Sequence, residues 1–443
     1  MKFKKSRFCV LKEFNNTLLL VNIRTGYKIK FQKDHLFIVK ELLDGIDYID
    51  KNDSKNKIFE YLIEYGFLVD ASIDENEIEK SEIEKIKNND GLLSFIILPT
   101  DDCNFRCPYC YEDHEKRRMS NDYLDRIARF VDKNIDKYKG LKVEWFGGEP
   151  LLELESIYYL SRKFVDICKL HKKPFISCMT TNGYYLTIDI FEKLRKLHFT
   201  GYQITLDGFA SSHDKQRFLA NGTGTWDVIV NNLRAIRDTP CKGFTNITIR
   251  SNFTIGMLEN AKDFVDFLKN EFGHDRRFDY FIRTVADFGG DRINNMRSQM
   301  ITENKAMFDI QKYASSIGLN LKVQKNGLHT GGMICYANQR NFYILGSDCI
   351  VRKSTCEYNN PLNHIGSIDE DGNMVINKAK ENIWVDGYSC ENDKCSHRIT
   401  CCGDGCPRNH LFHNKKSCVW NACSLEKLLE LLTYNENAVP IFN

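Results

Sequence analysis

Leu92-Leu-Ser-Phe-Ile-Ile-Leu-Pro99, followed by Thr100-Asp-Asp-Cys103-Asn-Phe-Arg-Cys107-Pro-Tyr-Cys110, is the stretch on which the reading turns. A short, almost wholly apolar run that ends at a proline describes a buried strand. Three cysteines follow it within one tight loop, and α/β folds carry their chemistry in the loops after the carboxyl ends of strands. Three thiolates so spaced can bind three irons of a cubane and leave the fourth iron open to a small ligand. A zinc knuckle is the competing reading, but structural zinc wants four ligands and only His114 offers itself as a fourth.

The strand-then-helix pattern recurs downstream. Strand-like runs fall at 92–99, 141–146, 175–180, 202–206, 245–253 and 278–285, and helical spacing falls near 121–137, 152–170, 186–197, 226–237, 258–272 and 302–316. Six such units over 92–320 predict an α/β fold, a complete or partial (β/α)6 barrel. Upstream, residues 1–72 read as a small separate domain. Thr17 to Arg24, the turn Thr25-Gly26 and Tyr27 to Phe31 form a hairpin, with Tyr27, Ile29 and Phe31 alternating with lysines. Helical spacing at Leu36, Val39 and Leu43, and again at Ile58, Tyr61, Leu62 and Tyr65, precedes a returning strand at 67–69, which suggests a winged helix. Residues 73–91, rich in Glu, Asp and Lys, read as a solvated helical linker. The segment 330–443 is cysteine-rich with little periodicity, and metal clusters are expected to supply its stability in place of a large core.

At 443 residues the chain is too long for one ordinary core. Its 62 Lys and Arg balance 60 Asp and Glu, so charge gives no reason to expect nucleic acid or an anionic membrane as partner. No apolar run approaches the ~18 residues of a membrane span. The amino terminus, Met1-Lys-Phe-Lys-Lys-Ser-Arg-Phe8, lacks a signal peptide's apolar core, so a cytoplasmic protein is expected. Seventeen cysteines in such a chain point to metal or redox chemistry rather than disulfides. Three lie between 103 and 110 and ten between 335 and 423. The scattered Cys9, Cys168, Cys178 and Cys241 read as small buried hydrophobes.

CX3CX2C with Tyr109 before its last cysteine resembles the signature of the radical S-adenosylmethionine (SAM) superfamily. The resemblance implies a [4Fe–4S] cluster on Cys103, Cys107 and Cys110 that reductively cleaves SAM, with Tyr109 against the adenine. Gly147-Gly148-Glu149-Pro150 after the second strand resembles the family motif whose backbone and Glu engage the methionine amino group; paired glycines allow close backbone approach, and a carboxylate suits an ammonium. Asn182 in Thr180-Thr-Asn-Gly183 and Thr205 in Thr205-Leu-Asp-Gly208 end the third and fourth strands, where the family lines its site. Thr205 would meet the SAM ribose or carboxylate. Arg217 or Arg250 could pair that carboxylate bidentately, or could hold a structural salt bridge.

The C-terminal cysteines resemble a SPASM domain, which carries one or two auxiliary [4Fe–4S] clusters. The chain departs from that pattern, with Cys349 where Gly is expected and Ser354 where a Cys is expected, two residues before Cys356. By family topology Cys335, Cys356 and Cys406 would hold the first cluster, with Cys349 in place of Cys356 or beside it as the alternatives. Cys390, Cys395, Cys401 or Cys402, and Cys418 or Cys423 would hold the second. One or two zinc sites are the competing reading.

SPASM enzymes mostly act on peptides or proteins, and the N-terminal extension resembles the recognition element by which peptide maturases grip a leader, with the hairpin edge accepting it as an extra strand. Packing against the barrel is the plain alternative for that extension. The resemblance implies a maturase of a ribosomally made precursor peptide with a leader, served by an electron donor such as flavodoxin or ferredoxin and forming a thioether crosslink of the sactipeptide or ranthipeptide kind. A sulfatase-maturase-like protein oxidase and a non-catalytic metal-binding scaffold for peptides are the alternatives.

Overall fold

The computed structural model describes residues 2–14, 17–32, 36–44, 56–240, 243–322, 327–387, 390, 395, 397–403, 405–413, 418 and 425–434. Contacts divide the chain into two compact units, one of Met1–Lys87, Val323–Cys335 and Tyr388–Asn443, the other of Asn88–Lys322 and Tyr336–Gly387.

The first unit begins with β1 (Phe3–Lys5), β2 (Cys9–Phe14), β3 (Thr17–Asn22), β4 (Lys28–Gln32), α1 (Leu36–Leu43), α2 (Asn56–Glu64), β5 (Leu68–Asp70) and α3 (Glu75–Lys87). The expected hairpin is β3–β4, with Leu18 opposite Phe31 and Leu20 opposite Ile29. β2 adds a third antiparallel strand on the other side of β3, and β5 returns to pair with β1. The unbroken run Leu18-Leu-Leu-Val21 has a simple cause. Leu18 and Leu20 pack with Ile29 and Phe31 against Val39 and Leu42 of α1 and Leu62 of α2. Leu19 and Val21 turn to the opposite face and meet Leu428, Leu429 and Leu432 of a helix at Leu425–Thr433. A strand buried on both faces has no polar alternation to show.

The second unit carries the parallel sheet. Its elements are β6 (Leu93–Ile97), α4 (Asn121–Asn134), β7 (Leu141–Trp145), α5 (Leu154–Leu170), β8 (Phe175–Thr181), α6 (Ile188–Arg195), β9 (Phe199–Thr205), α7 (Ala210–Gln216), α8 (Trp226–Asp238), β10 (Asn246–Phe253), α9 (Ala261–Phe272), β11 (Phe278–Thr284) and α10 (Asn304–Ser316). Then come β12 (Phe342–Leu345), β13 (Ile350–Arg352), β14 (Gly366–Ile368), β15 (Met374–Ile376) and α11 (Lys378–Val385). All six expected strands form, in the order β11-β10-β9-β8-β7-β6, every neighbour parallel. The fold is mixed α/β around this parallel-rich sheet, with a C-terminal extension. β7 shows the pattern, burying Leu141, Val143 and Trp145 while Lys142 and Glu144 stay half-exposed. Trp145 Nε1 donates to Ser177 Oγ on β8 at 3.1 Å, so the buried indole keeps a partner.

Two features differ from the sequence reading. Helix α7 intervenes between β9 and α8; Ala210-Ser-Ser-His-Asp-Lys-Gln216 carries no apolar stripe that would reveal it. Residues 336–387 carry strands that the sequence did not announce: β12 pairs parallel with β6 and extends the sheet into antiparallel β13, β14 and β15. All four residues of β12 are buried. A four-residue strand is too short for periodicity to declare itself. Among the described residues no helix is long and apolar enough to cross a membrane.

Ile344 is fully buried among Ile96, Leu98 and Phe342. Ile344→Ala should destabilise the protein by about 2–4 kcal/mol through lost burial and a residual cavity; a calorimetric or urea unfolding scan beside the parent chain reads the shift.

Candidate active site

The cysteine loop leaves β6 at Leu98 and is stapled where it returns, Met119 N donating to Pro99 O at 2.7 Å and Thr100 Oγ1 to Arg117 O at 2.7 Å. Its middle is held by the chain after α7, Arg106 N donating to Phe218 O at 3.0 Å and Ala220 N to Asn104 O at 2.8 Å. Cys103 and Cys107 are buried and Cys110 is half-buried. Phe105 N donates to Cys103 Sγ at 3.3 Å, and Cys110 N to Cys107 O at 3.1 Å. The thiols feel one another: burial and the Glu149 carboxylate raise Cys103, and Cys107 and Cys110 raise it further. Burial pushes Cys110 up to about 12. Free thiols so placed stay protonated at neutral pH, and a metal must displace those protons to bind.

Among the described residues no three His, Cys, Asp or Glu side chains converge closely enough to hold one ion. A cubane asks for something else, one thiolate on each of three irons. His114 Nε2 lies 3.4 Å from Cys110 Sγ, but Arg292 Nη1 stands 2.8 Å from its Nδ1, and burial together with Arg292 and Arg106 lowers its pKa to about 4. His114 is therefore neutral and already partnered, and three thiols in one loop is the donor set of a cluster with an open iron.

The Gly-Gly-Glu-Pro motif lies directly on that loop. Gly148 N donates to Thr100 O at 3.2 Å and Glu149 N to Asp102 O at 2.8 Å. Gly147 holds φ +108°, and a Cβ there would sit 2.5 Å from Thr100 O. A Cβ on Gly148 would sit 2.1 Å from Asp102 O. The close approach these glycines permit is thus to the cysteine loop's own backbone. Glu149 is fully buried. Its Oε1 accepts from Leu151 N at 3.0 Å and Thr181 Oγ1 at 2.6 Å, and Oε2 from Asn182 N at 2.7 Å. A carboxylate has about four acceptor positions, so one remains, on Oε2, for an ammonium. Asn182 Nδ2 donates to Asn104 Oδ1 at 2.7 Å, tying the end of β8 to the cysteine loop.

On the other side of the loop a buried network gathers. Tyr109 Oη donates to Asp207 Oδ2, and Arg217 Nη1 donates to Tyr109 Oη at 2.9 Å and reaches Cys107 Sγ at 3.8 Å. Asp207 Oδ1 accepts from Asn252 N at 2.7 Å. Asp207 N donates to His213 Nδ1 at 3.2 Å, while burial and Arg217 hold that imidazole neutral. Arg217 is buried over the Phe105 ring, and its Nε has no hydrogen-bond partner. An orphaned guanidinium N–H beside the thiols is costly unless an acceptor arrives, and a ligand carboxylate is such an acceptor. Thr205, buried at the end of β9, is the register partner of Arg250 on β10. Arg250 Nε donates to Asn252 Oδ1 at 2.9 Å, and its guanidinium lies over the Phe281 ring. The structure therefore sets Glu149, Asn182 and Thr205 at or just after strand ends, Tyr109 in the cysteine loop, Arg217 at the end of α7 and Arg250 within β10. The motif sequences signalled Asp207; Asn104, His213 and Asn252 had no signal.

A cavity of about 220 Å³ adjoins the loop, lined by Asp101, Tyr111, Glu112, Gly148 and Cys356 among others. Burial, then Asp101 and Glu149, push Glu112 up to about 8. Cys349 does not line it; that residue sits at φ +65° in the β12–β13 turn, beside Arg126 and Asp122. In the first unit Cys390, Cys395, Cys401 and Cys418 lie within electrostatic reach of one another, and burial raises Cys401 to about 12. Cys402 takes a left-handed turn at the end of the helix Arg398–Cys401 and is buried. A hydrogen bond from Cys335 lowers Cys406 to about 6. Cys9 packs in the core of its own unit and Cys168 is buried on α5. Cys241 and Cys423 lie outside the described residues.

Residues 97–269 match the model of the radical SAM superfamily. These residues are a radical SAM domain. Among curated proteins the chain is similar to the radical SAM cyclopropyl synthase TigE of Paramaledivibacter caminithermalis, 23% identical over 53% of this chain and 51% of that protein. It is also similar to the cysteine-type anaerobic sulfatase-maturating enzyme of Clostridium novyi, 27% identical over 32% of this chain and 40% of that protein. The chain thus spans about half the length, or less, of the curated relatives it matches. Among solved structures it resembles anSMEcpe with bound AdoMet and Cp18Cys peptide, with TM-score 0.56, 16% identity, and 77% of this chain and 96% of that one covered. It also resembles Streptococcus suis SuiB bound to precursor peptide SuiA, with TM-score 0.52, 15% identity, and coverage of 94% and 98%. At such identities the likeness is one of fold.

Gly148→Ala tests the geometry. Its methyl overlaps Asp102 O, so the cysteine loop must shift, and the isolated protein should lose about four irons per chain, measured by anaerobic iron and sulfide analysis.

Proposed function

We propose that the chain is a radical SAM peptide maturase acting on a ribosomally made precursor peptide and forming a thioether crosslink. The observation that carries this is the orphaned Nε of Arg217, whose guanidinium reaches Cys107 Sγ in the loop of Cys103, Cys107 and Cys110. When bound there, the cluster and SAM supply a 5′-deoxyadenosyl radical able to take hydrogen from an unactivated carbon. The protein's own residues bind and orient. Arg217 offers N–H groups to the methionyl carboxylate, the free acceptor position of Glu149 meets the ammonium, and Tyr109 lies against the adenine. Asp207 fixes Tyr109, and the buried setting excludes water and oxygen. Thr205, Asn182 and Arg250 complete the lining.

An auxiliary [4Fe–4S] cluster on Cys390, Cys395, Cys401 and Cys418 is supported by the gathering of those four thiols. We assign Cys335, Cys356 and Cys406 to a further cluster by resemblance alone. The N-terminal strands are proposed as the leader-binding winged helix. Asn22 N donates to Tyr27 O at 2.9 Å, so the antiparallel register turns the main-chain groups of Lys28 and Lys30 outward on β4, the outer strand among the described residues. Main-chain groups so presented suit an added peptide strand. The likeness in fold to SuiB bound to precursor peptide SuiA supports a peptide substrate. A cytoplasmic setting with a flavodoxin or ferredoxin donor is part of the same reading.

Replacing Cys103, Cys107 and Cys110 together by Ala should remove about four irons and all 5′-deoxyadenosine formation, while iron on the auxiliary cysteines persists. Persistent SAM cleavage would refute the assignment, and zinc in place of the residual iron would refute the auxiliary clusters. Lys30→Pro removes an outward N–H without touching the β3 ladder. It should weaken peptide binding and crosslinking and leave SAM cleavage intact; undiminished crosslinking would return the N-terminal unit to a packing role.

A further inference from the structure

A second cavity, of about 390 Å³, lies beside α7; neither the cysteine loop nor Tyr109 nor Arg217 lines it. Phe209, Phe253, Phe264 and Met257 form its apolar walls, and no acidic residue lines it. Gln216 lines it too and is 6% exposed. Its Nε2 reaches Thr254 Oγ1 at 3.4 Å and Met257 Sδ at 3.6 Å, while its Oε1 has no partner. A buried amide oxygen without a donor is costly. The terminal torsion of Gln is broad, so the amide can turn into the cavity at little cost. At the rim stands Lys215, exposed and without an ion pair among the described residues.

These three features specify one chemistry: a hydrogen-bond donor for Gln216, an apolar group for the aromatic and methionine walls, and an anion for Lys215. An acyl amino acid at a chain end carries all three, as its amide N–H, its side chain and its carboxylate. We infer that this cavity receives the carboxy-terminal residue of a peptide, bearing an apolar side chain, with its amide on Gln216 and its carboxylate on Lys215. The choice of a peptide rests on the maturase reading. The site would also report to the chemistry, because Gln216 directly precedes Arg217, whose N donates to His213 O at 2.7 Å. Seating a chain end against Gln216 would steady that arginine.

The test is isothermal titration of the full, cluster-loaded chain under anaerobic conditions with N-acetyl-Ala-Leu, its C-terminal amide and free leucine. The acid should bind more tightly than the amide by about three-fold, the scale of one exposed ion pair, and leucine should bind more weakly than the acid. Lys215→Gln should erase the acid's advantage, and Gln216→Met should weaken acid and amide alike by about five-fold, one hydrogen bond's worth. Absence of saturable binding, equal binding of acid and amide, an advantage that survives Lys215→Gln, or leucine binding as tightly as the acid would each overturn the assignment. Deoxyadenosine formation by the same preparation is read separately, so failure here would leave the maturase reading standing.

Discussion

The main chain of the cysteine loop and the main chain after β7 touch without side chains between them, and the rest of the site depends on that contact. Asp102 O occupies the space a Cβ on residue 148 would need, and Glu149 N is bonded to the same carbonyl. From this contact follow the depth at which Cys103 and Cys107 are buried and the position of Glu149, whose carboxylate then binds the ends of β7 and β8 together through Thr181 and Asn182. A glycine pair is ordinarily read as room for a ligand. Here the first claimant on that room is the protein itself, and the ligand inherits a loop already set.

Opposite this backbone contact the site is held by charge. Tyr109 links Asp207 to Arg217, which reaches Cys107 in turn. Such a network is strong when every member is satisfied and costly when one is not. Among its fully buried side-chain atoms Arg217 Nε has no partner, which makes that atom the most informative one in the site. His213 shows how the network is kept in register. It is neutral, accepts from the Asp207 backbone and braces Thr225, so α7 is locked between β9 and α8 with Arg217 at its end.

The sheet explains why the C-terminal segment does not stand alone. β12 lies parallel to β6, so Leu345 is the register partner of Ile97, immediately before the cysteine loop begins. The segment carrying Cys356 is thereby anchored to the strand that presents Cys103, Cys107 and Cys110. Residues remote in sequence share a wall of one cavity because a four-residue strand joined the sheet.

The sequence by itself determined the six strands and most of the helices between them, and it marked the Cys103–Cys110 loop as a candidate cluster loop, because each is local: apolar period, strand length and ligand spacing are properties of neighbouring residues. It also marked Glu149, Asn182 and Thr205 as strand-end residues and singled out Arg217, though not what each touches. Only the tertiary structure decided that Gly148 faces Asp102, that Asp207 and His213 support Tyr109 and Arg217, that Cys401 lies near Cys390, Cys395 and Cys418, and that Cys349 stands apart from the cavity reached by Cys356. Each of these turns on the direction a side chain takes after a turn or on the approach of chain segments tens to hundreds of residues apart. Spacing along the chain carries no record of either, because backbone dihedrals and long-range packing set them together.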